Sequence, residues 1–279
     1  MGKMLVVSAH GADWCTRAGG MILKYVELGW EVTVFALTYG EHGESGNYWK
    51  DHPGCSLEEV KSCREQEARA AAGKMGVKEI RFFDYGDYPL CMDESRVRRL
   101  TADILAIRPD VILTHWRIDK INPDHEICAR AVFQAVTAAG MRGALPDTEP
   151  HFIPDIFLFE TTIPHPEFNQ FEIDTFVDIS DVMDRKMEAV KLFKAQPQLV
   201  GYYEKCATDR GFQANDWSRG RRPIRYAEGL KRYTPYLGDQ LPISRLAEEG
   251  PKGTGTKEKG TKEKSLKEKS PKERRQEDV

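Results

Sequence analysis

Two rhythms of apolar positions alternate along the first 160 residues. Runs rich in Val, Ile, Leu and Phe at 4–9, 31–38, 79–83, 110–115 and 155–160 have the length of buried strands, and helical spacing fills 18–28, 57–73, 93–107 and 123–139 between them. Strand and helix taking turns in this way predicts an α/β fold. The expected form is a Rossmann-like open, mainly parallel sheet, with right-handed crossovers placing helices on both faces. Ser56 followed three residues later by Glu59 is a capping box that starts the second helix. Asn122-Pro123 supplies the residue types of an N-cap and a first helical position for the fourth. Beyond residue 160 the pattern predicts a strand at 173–179, a helix at 181–195, and a polar, aromatic stretch running to about 248. No internal boundary is evident, so residues 1–248 are expected to make a single domain.

Composition narrows the picture. Of 279 residues, 40% are hydrophobic and 30% charged, the net charge is -3, and no apolar run approaches the roughly 18 residues of a membrane span. The start, Met1 to Val7, is too short and β-branched for a secretory leader, which predicts a cytoplasmic protein. Six cysteines without a C-x-x-C pair fit reduced thiols rather than a disulfide framework or a thiolate zinc site. Residues 251–279 carry ten Lys or Arg against six Asp or Glu, so this segment is +4 and the rest of the chain -7. Its Lys-Glu-Lys near-repeat has almost nothing apolar to bury, and the segment 249–279 is expected to be a disordered, non-catalytic tail. A weak tether to an anionic surface or partner is the other reading of the tail. No nucleic-acid or membrane partner is expected of the body.

The chemistry-bearing residues gather at two strand ends. After the first strand comes Ser8-Ala-His-Gly-Ala-Asp13, where a phosphate-binding Gly-x-Gly-x-x-Gly loop would sit, but His, Ala and Asp occupy that loop and a nucleotide cofactor is not expected. His10 and Asp13 place an imidazole and a carboxylate three residues apart, able to reach one cation or simply to hydrogen-bond each other. The fourth strand runs into Thr114-His-Trp-Arg-Ile-Asp-Lys-Ile-Asn-Pro-Asp-His125. In an open α/β sheet the first and fourth strands commonly flank the switch point where ligands bind, which would bring His10, Asp13 and His125 together. Two histidines and a carboxylate compose a catalytic rather than a structural zinc site, although the same ligands also accept iron, manganese or cobalt. His115 reads either as an orienting neighbour or as a packed core histidine.

These residues resemble the zinc-dependent deacetylases of the N-acetylglucosaminyl-phosphatidylinositol de-N-acetylase type, with their Ala-His-Pro-Asp-Asp-Glu and His-Pro-Asp-His motifs. The resemblance implies metal ligation by His10, Asp13 and His125. Two positions depart from it. Ala12 stands where the family has the Asp that activates water, and Asn122 where it has a histidine. Ser-Ala-His-x-Ala-Asp followed by Arg17-Ala-Gly-Gly is more similar to the 4-oxalomesaconate hydratase branch of that superfamily. So are Gly40-Glu-His-Gly-Glu-Ser45, Arg81 to Pro89, Asn122 to His125 and Arg225-Tyr-Ala-Glu228, within a match covering residues 4–235. That branch implies addition of water to a conjugated ring-cleavage product of gallate or protocatechuate, giving 4-carboxy-4-hydroxy-2-oxoadipate. It also implies a zinc cofactor, a small polycarboxylate substrate and a homo-oligomer.

A hydration needs a proton-transfer group. Glu44, flanked by Gly43 and Gly46, is the first candidate acid/base, and His165, in Ile163-Pro-His-Pro, is the second. Arg17, Arg117 and Arg225 are candidates for the substrate's carboxylates, since a guanidinium suits bidentate pairing, with ordinary ion pairs as the other reading. A zinc-dependent amide hydrolase and a non-catalytic metal-binding module remain as alternatives. Ala12 and Asn122 separate the hydratase from the first, and the acid/base candidates separate it from the second.

Overall fold

A computed structural model describes residues 1–162, 164–242 and 244. The segment 249–279, expected to be a disordered tail, lies outside the described residues. Among these, one sheet holds β1 (Lys3–Ser8), β2 (Glu31–Ala36), β3 (Glu79–Phe82), β4 (Val111–His115), β5 (Asp155–Phe159), β6 (Thr175–Asp178) and β7 (Ala227–Arg232), in the order β3-β2-β1-β4-β5-β7-β6. The first five strands are parallel, and β7 runs antiparallel between β5 and β6. The helices are α1 (Asp13–Glu27), α2 (Gly46–Asp51), α3 (Leu57–Met75), α4 (Glu94–Ile107), α5 (Pro123–Ala139), α6 (Met183–Val190) and α7 (Leu199–Trp217).

Side chains of a strand alternate between faces, and β1 shows what that does here. Met4 and Val6 join a core with Ile22 of α1, Ala71 of α3 and Val190 of α6, whereas Leu5 and Val7 join a second core with Leu100 of α4 and Val132 of α5. Both faces of the parallel strands are therefore covered, which is why these strands read as unbroken apolar runs. β1 lies between β2 and β4, so the strand order reverses beside it and the topological switch point falls at the carboxyl ends of β1 and β4, as the sequence predicts. Ser56 and Glu59 form the expected capping box at α3.

The departures from expectation have physical causes. α1 starts at Asp13, five residues before the predicted start at 18, with Ala12 as an N-cap lacking a side-chain hydrogen bond. Asp13 is thus on the first turn of a helix rather than in a loop. Gly19-Gly20, near the predicted start, lies mid-helix, where packing needs it: a Cβ on Gly20 would lie 2.6 Å from Ile179 Cγ2. β7 was not expected, since Ala-Glu-Gly-Leu-Lys-Arg lacks strand composition. Its Glu228 is buried, accepting the N–H groups of Gly20 and Met21 at 2.7 and 2.8 Å and pairing with buried Lys186 at 2.8 Å. α7 was hidden by Gly201 and Gly211. The latter lies against the backbone of Arg225, where a Cβ would be 2.3 Å from the carbonyl oxygen.

Candidate active site

The turn from β1 into α1 is closed by its own functional groups. His10 donates its backbone N–H to Asp13 Oδ2 at 2.8 Å, and its ring Nδ1 lies 3.1 Å from the same oxygen. On the neighbouring strand, β4 ends at His115, and a loop leads to α5, whose third residue is His125. The His125 Nδ1 bonds Asp119 Oδ2 at 2.8 Å. Because a carboxylate only accepts, this nitrogen donates a proton to the bond, and Nε2 is the nitrogen left to face Asp13. That Nε2 is buried without a hydrogen-bond partner, 3.5 Å from Asp13 Oδ1. One potential ligand atom from each of His10, Asp13 and His125 lies within 4.8 Å of the other two, and all three residues are buried. An orphaned buried imidazole nitrogen facing a carboxylate is costly in an apolar interior and fits a divalent cation well.

Electrostatics around the triad are one-sided. Burial works against charge on His10, but Asp13, Asp124 and Glu44 outweigh it and hold the imidazole well above its ordinary value. Burial would raise Asp13, yet His125 and then His10 keep its carboxyl well below the usual range. Asp119 is likewise depressed against its burial, by its bond to His125, by Arg17 and by the Thr162 N–H. It also accepts the N–H groups of Ile121 and Asn122, at 3.2 and 3.1 Å, so the loop is folded around the carboxylate that orients His125. Asp124 takes the N–H groups of Tyr88 and Leu90 at 2.8 and 2.9 Å and lies 3.4 Å from His10 Nε2. His115 accepts the Ala9 N–H at Nε2 and stacks on His125 with centroids 4.1 Å apart. Burial and the neighbouring His125 lower it to about 3, so it is a neutral packing partner.

Glu44 reaches this cluster. Its Oε1 lies 3.9 Å from His10 Nδ1, 3.1 Å from the Asn122 amide nitrogen and 3.3 Å from the Tyr88 hydroxyl, and its Oε2 accepts from Gln196. The glycine that admits it is Gly40, at φ +75, where a Cβ would be 2.9 Å from Glu44 Cβ. Gly43 makes room for the Tyr88 ring instead, and Gly46 meets nothing within 4 Å. Buried Asp87 ties the same loop down through the N–H groups of His42 and Gly43 and the His42 ring. Asn122 does sit at the N-cap of α5, but its side chain makes no capping bond. It turns to Glu44, leaving its Oδ1 buried and unpartnered.

The remaining candidates lie elsewhere. Arg17 is buried, with Nη1 donating to the carbonyls of Glu160 and Thr161 at 2.6 Å each and Nε 3.4 Å from Asp13. Its guanidinium thereby joins α1 to the end of β5. Arg117 and Arg225 are exposed, lying over Trp116 and Tyr226, and His165 is exposed in the loop after β5. None of these three side chains bonds the triad among the described residues. Asp119, Asp124 and Tyr88 were within motifs read from the sequence but had no role assigned to them. Gln196, in the segment before α7, carries no local signal.

Comparison with known proteins agrees with this geometry. The GlcNAc-PI de-N-acetylase (PIG-L) pattern matches residues 5–136. Over 240 residues, 85% of this chain and 91% of the relative, the sequence is 37% identical to a 4-oxalmesaconate hydratase of Pseudomonas putida. It is 28% identical over 201 residues, 70% of each chain, to a diacetylchitobiose deacetylase of Thermococcus kodakarensis. The crystal structure of GalB, the 4-carboxy-2-hydroxymuconate hydratase from Pseudomonas putida, superposes with a TM-score of 0.81 at 36% identity, covering 87% of this chain and all of that one. No helix among the described residues is long and apolar enough to cross a membrane. With the triad at the switch point, Ala12 and Asn122 in place of two deacetylase residues, and this extent of likeness, the chain belongs to the PIG-L family, on its 4-oxalmesaconate hydratase branch.

Proposed function

We propose that this protein is a metal-dependent hydro-lyase that adds water to 4-oxalomesaconate, yielding 4-carboxy-4-hydroxy-2-oxoadipate in the breakdown of gallate or protocatechuate. The observation that carries the reading is Glu44. Where a deacetylase would place its base beside Asp13 there is the methyl group of Ala12, and a carboxylate from the loop after β2, Glu44, reaches His10 instead. His10, Asp13 and His125 would hold the cation, most simply Zn2+, and such an ion supplies a Lewis acid for the oxo or enol carboxylate end of the substrate.

The chain's own residues do the rest. Water adds across the substrate's carbon–carbon double bond: its hydroxyl bonds to the carbon β to the oxo group while the π bond breaks and a proton adds to the other alkene carbon, and Glu44 is placed to carry that proton. Asn122 and the Tyr88 hydroxyl hold its carboxylate oxygen. Arg117, Arg225 and His165 are the groups available to meet the substrate's carboxylates or share proton transfer, whereas the bonds of Arg17 to the β5 end make it a support for Asp13. The catalytic unit is residues 1–248, and a chain ending there is expected to turn over substrate as the full chain does.

The metal-loaded protein given 4-oxalomesaconate and an N-acetylglucosaminyl compound side by side should consume the first and release no amine from the second. Brisk deacetylation with no hydration would overturn the reading. Glu44→Gln should lower kcat by about 10²–10⁴-fold with metal content and KM little changed. If His165→Asn shows that loss while Glu44→Gln turns over normally, the proton-transfer role belongs to the histidine. His10→Ala should lose tight metal binding by elemental analysis; full loading would remove His10 from the ligand set.

A further inference from the structure

Glu44 sits on a glycine-rich loop, and an isolated carboxylate there would sample many rotamers. Its second oxygen, Oε2, is gripped by the amide nitrogen of Gln196, a residue of the segment between α6 and α7 that is more than 150 positions away. Gln196 is buried, 5% exposed, and its own orientation is dictated by a third residue. Arg64 of α3, 1% exposed, donates Nη2 to Gln196 Oε1 at 2.8 Å, Nη1 to Glu67 at 2.8 Å and Nε to the Tyr39 carbonyl at 3.4 Å. A guanidinium has donors only, so it can face only the oxygen of the Gln196 amide. The NH₂ end is thereby forced toward Glu44. Glu67 is fixed in turn by the Ala195 N–H at 2.9 Å, so the residue preceding Gln196 is anchored to the same helix.

We propose that Gln196, locked by Arg64, is a positioning residue for hydration, holding the Glu44 carboxylate in line with Asn122 and the triad. It acts through Glu44 and touches no substrate. The inference rests on the reading of Glu44 as the acid/base group, and it adds a device outside every motif of the two strand ends. Functionally, the relay makes proton transfer depend on the packing of α3 against the segment before α7.

Two variants test it. Gln196→Met keeps the volume and removes the amide. Gln196→Glu keeps an acceptor for Arg64, so the buried guanidinium stays paired if the first variant fails to fold, but turns a carboxylate toward Glu44 in place of the N–H. Each should lower kcat on 4-oxalomesaconate about 10–100-fold with KM changed less than about threefold, because orientation rather than affinity is lost. In a Glu44→Gln background the same changes should have almost no further effect on kcat, since groups acting as a unit are not additive. Crystal structures of the metal-loaded variants should show the Glu44 side chain swung away from Asn122. Glu44 unmoved in both variants, or a full additional kcat loss in the Glu44→Gln background, overturns the proposal. If Glu44→Gln is fully active while Gln196→Glu still displaces the carboxylate, the positioning stands and the acid/base reading of Glu44 is what fails.

Discussion

Two side-chain groups set the chemistry at the residue scale. A methyl group at Ala12 removes a base from the side of Asp13, and an amide at Asn122 turns a helix-cap position into a grip on Glu44. Restoring a carboxylate with Ala12→Asp places a second anion beside the triad, where it would compete with a polycarboxylate substrate for the same positive field. Hydratase kcat/KM is expected to fall at least about tenfold in steady-state assays; an unchanged value would mean that position 12 does not face the substrate. Gly40 is equally sensitive, because its backbone is left-handed and Glu44 Cβ lies 2.9 Å from where a Cβ would be. Gly40→Ala should therefore cost about 1–2 kcal/mol in denaturant unfolding and lower kcat along with it. His10, Asp13 and His125 were legible because their types and strand-end positions carry chemical meaning. Asn122 was half legible: its place at the helix start was clear, but the direction of its side chain depends on a loop 78 residues earlier in the chain.

Elements were readable where local pattern and tertiary need agree. α3 has both an interior of Ala and Glu and a reciprocal cap at Ser56, with the Glu59 side chain accepting the Ser56 N–H at 2.7 Å. Ser56→Ala is expected to cost about 1 kcal/mol, seen as a fall in Tm of about 2–4 °C for a domain of this size; no change would place the helix start elsewhere. α1 and β7 show the opposite case, in which packing overrides propensity. Gly20 is mid-helix to let Ile179 approach, and β7 is a strand because β5 and β6 offer it hydrogen bonds on both sides. The end of β6 also gives a pH signature. Burial would raise Asp178, but the Ser180 hydroxyl and N–H together with Arg222 outweigh it and depress its folded value. A depressed carboxyl contributes stability above its unfolded value of about 3.9, and that contribution is lost as the pH falls through the lower folded value. The stability difference between wild type and Asp178→Asn should thus be constant from pH 7 to about pH 5 and shrink below about pH 4 in urea titrations. A difference that widens on acidification would contradict the pairing.

On the scale of the whole molecule, the triad ties the β1 turn, the start of α1 and the start of α5 into one knot at the end of the sheet. Binding of a cation to the folded state alone stabilises it by about 2.7 kcal/mol at a hundredfold excess over Kd. Chelation should lower the Tm by several degrees, re-addition of Zn2+ should restore it, and the Asp13→Ala protein should show neither effect. A Tm indifferent to chelator in the wild type would argue against a cation at the triad.

Alternating apolar runs and helical spacing were enough to determine an open parallel α/β sheet, since both faces of such a sheet must be buried and the strands advertise it. The same holds for the meeting of His10, Asp13 and His125 beyond the ends of β1 and β4, because the switch point follows from strand order. Three things were decided only by the tertiary structure: which nitrogen of His125 is left facing Asp13, which glycine lets Glu44 in, and that Gln196 and Arg64 hold it. Each of these depends on groups brought together across long stretches of chain, where hydrogen-bond direction and close contact, not local residue preference, determine the outcome.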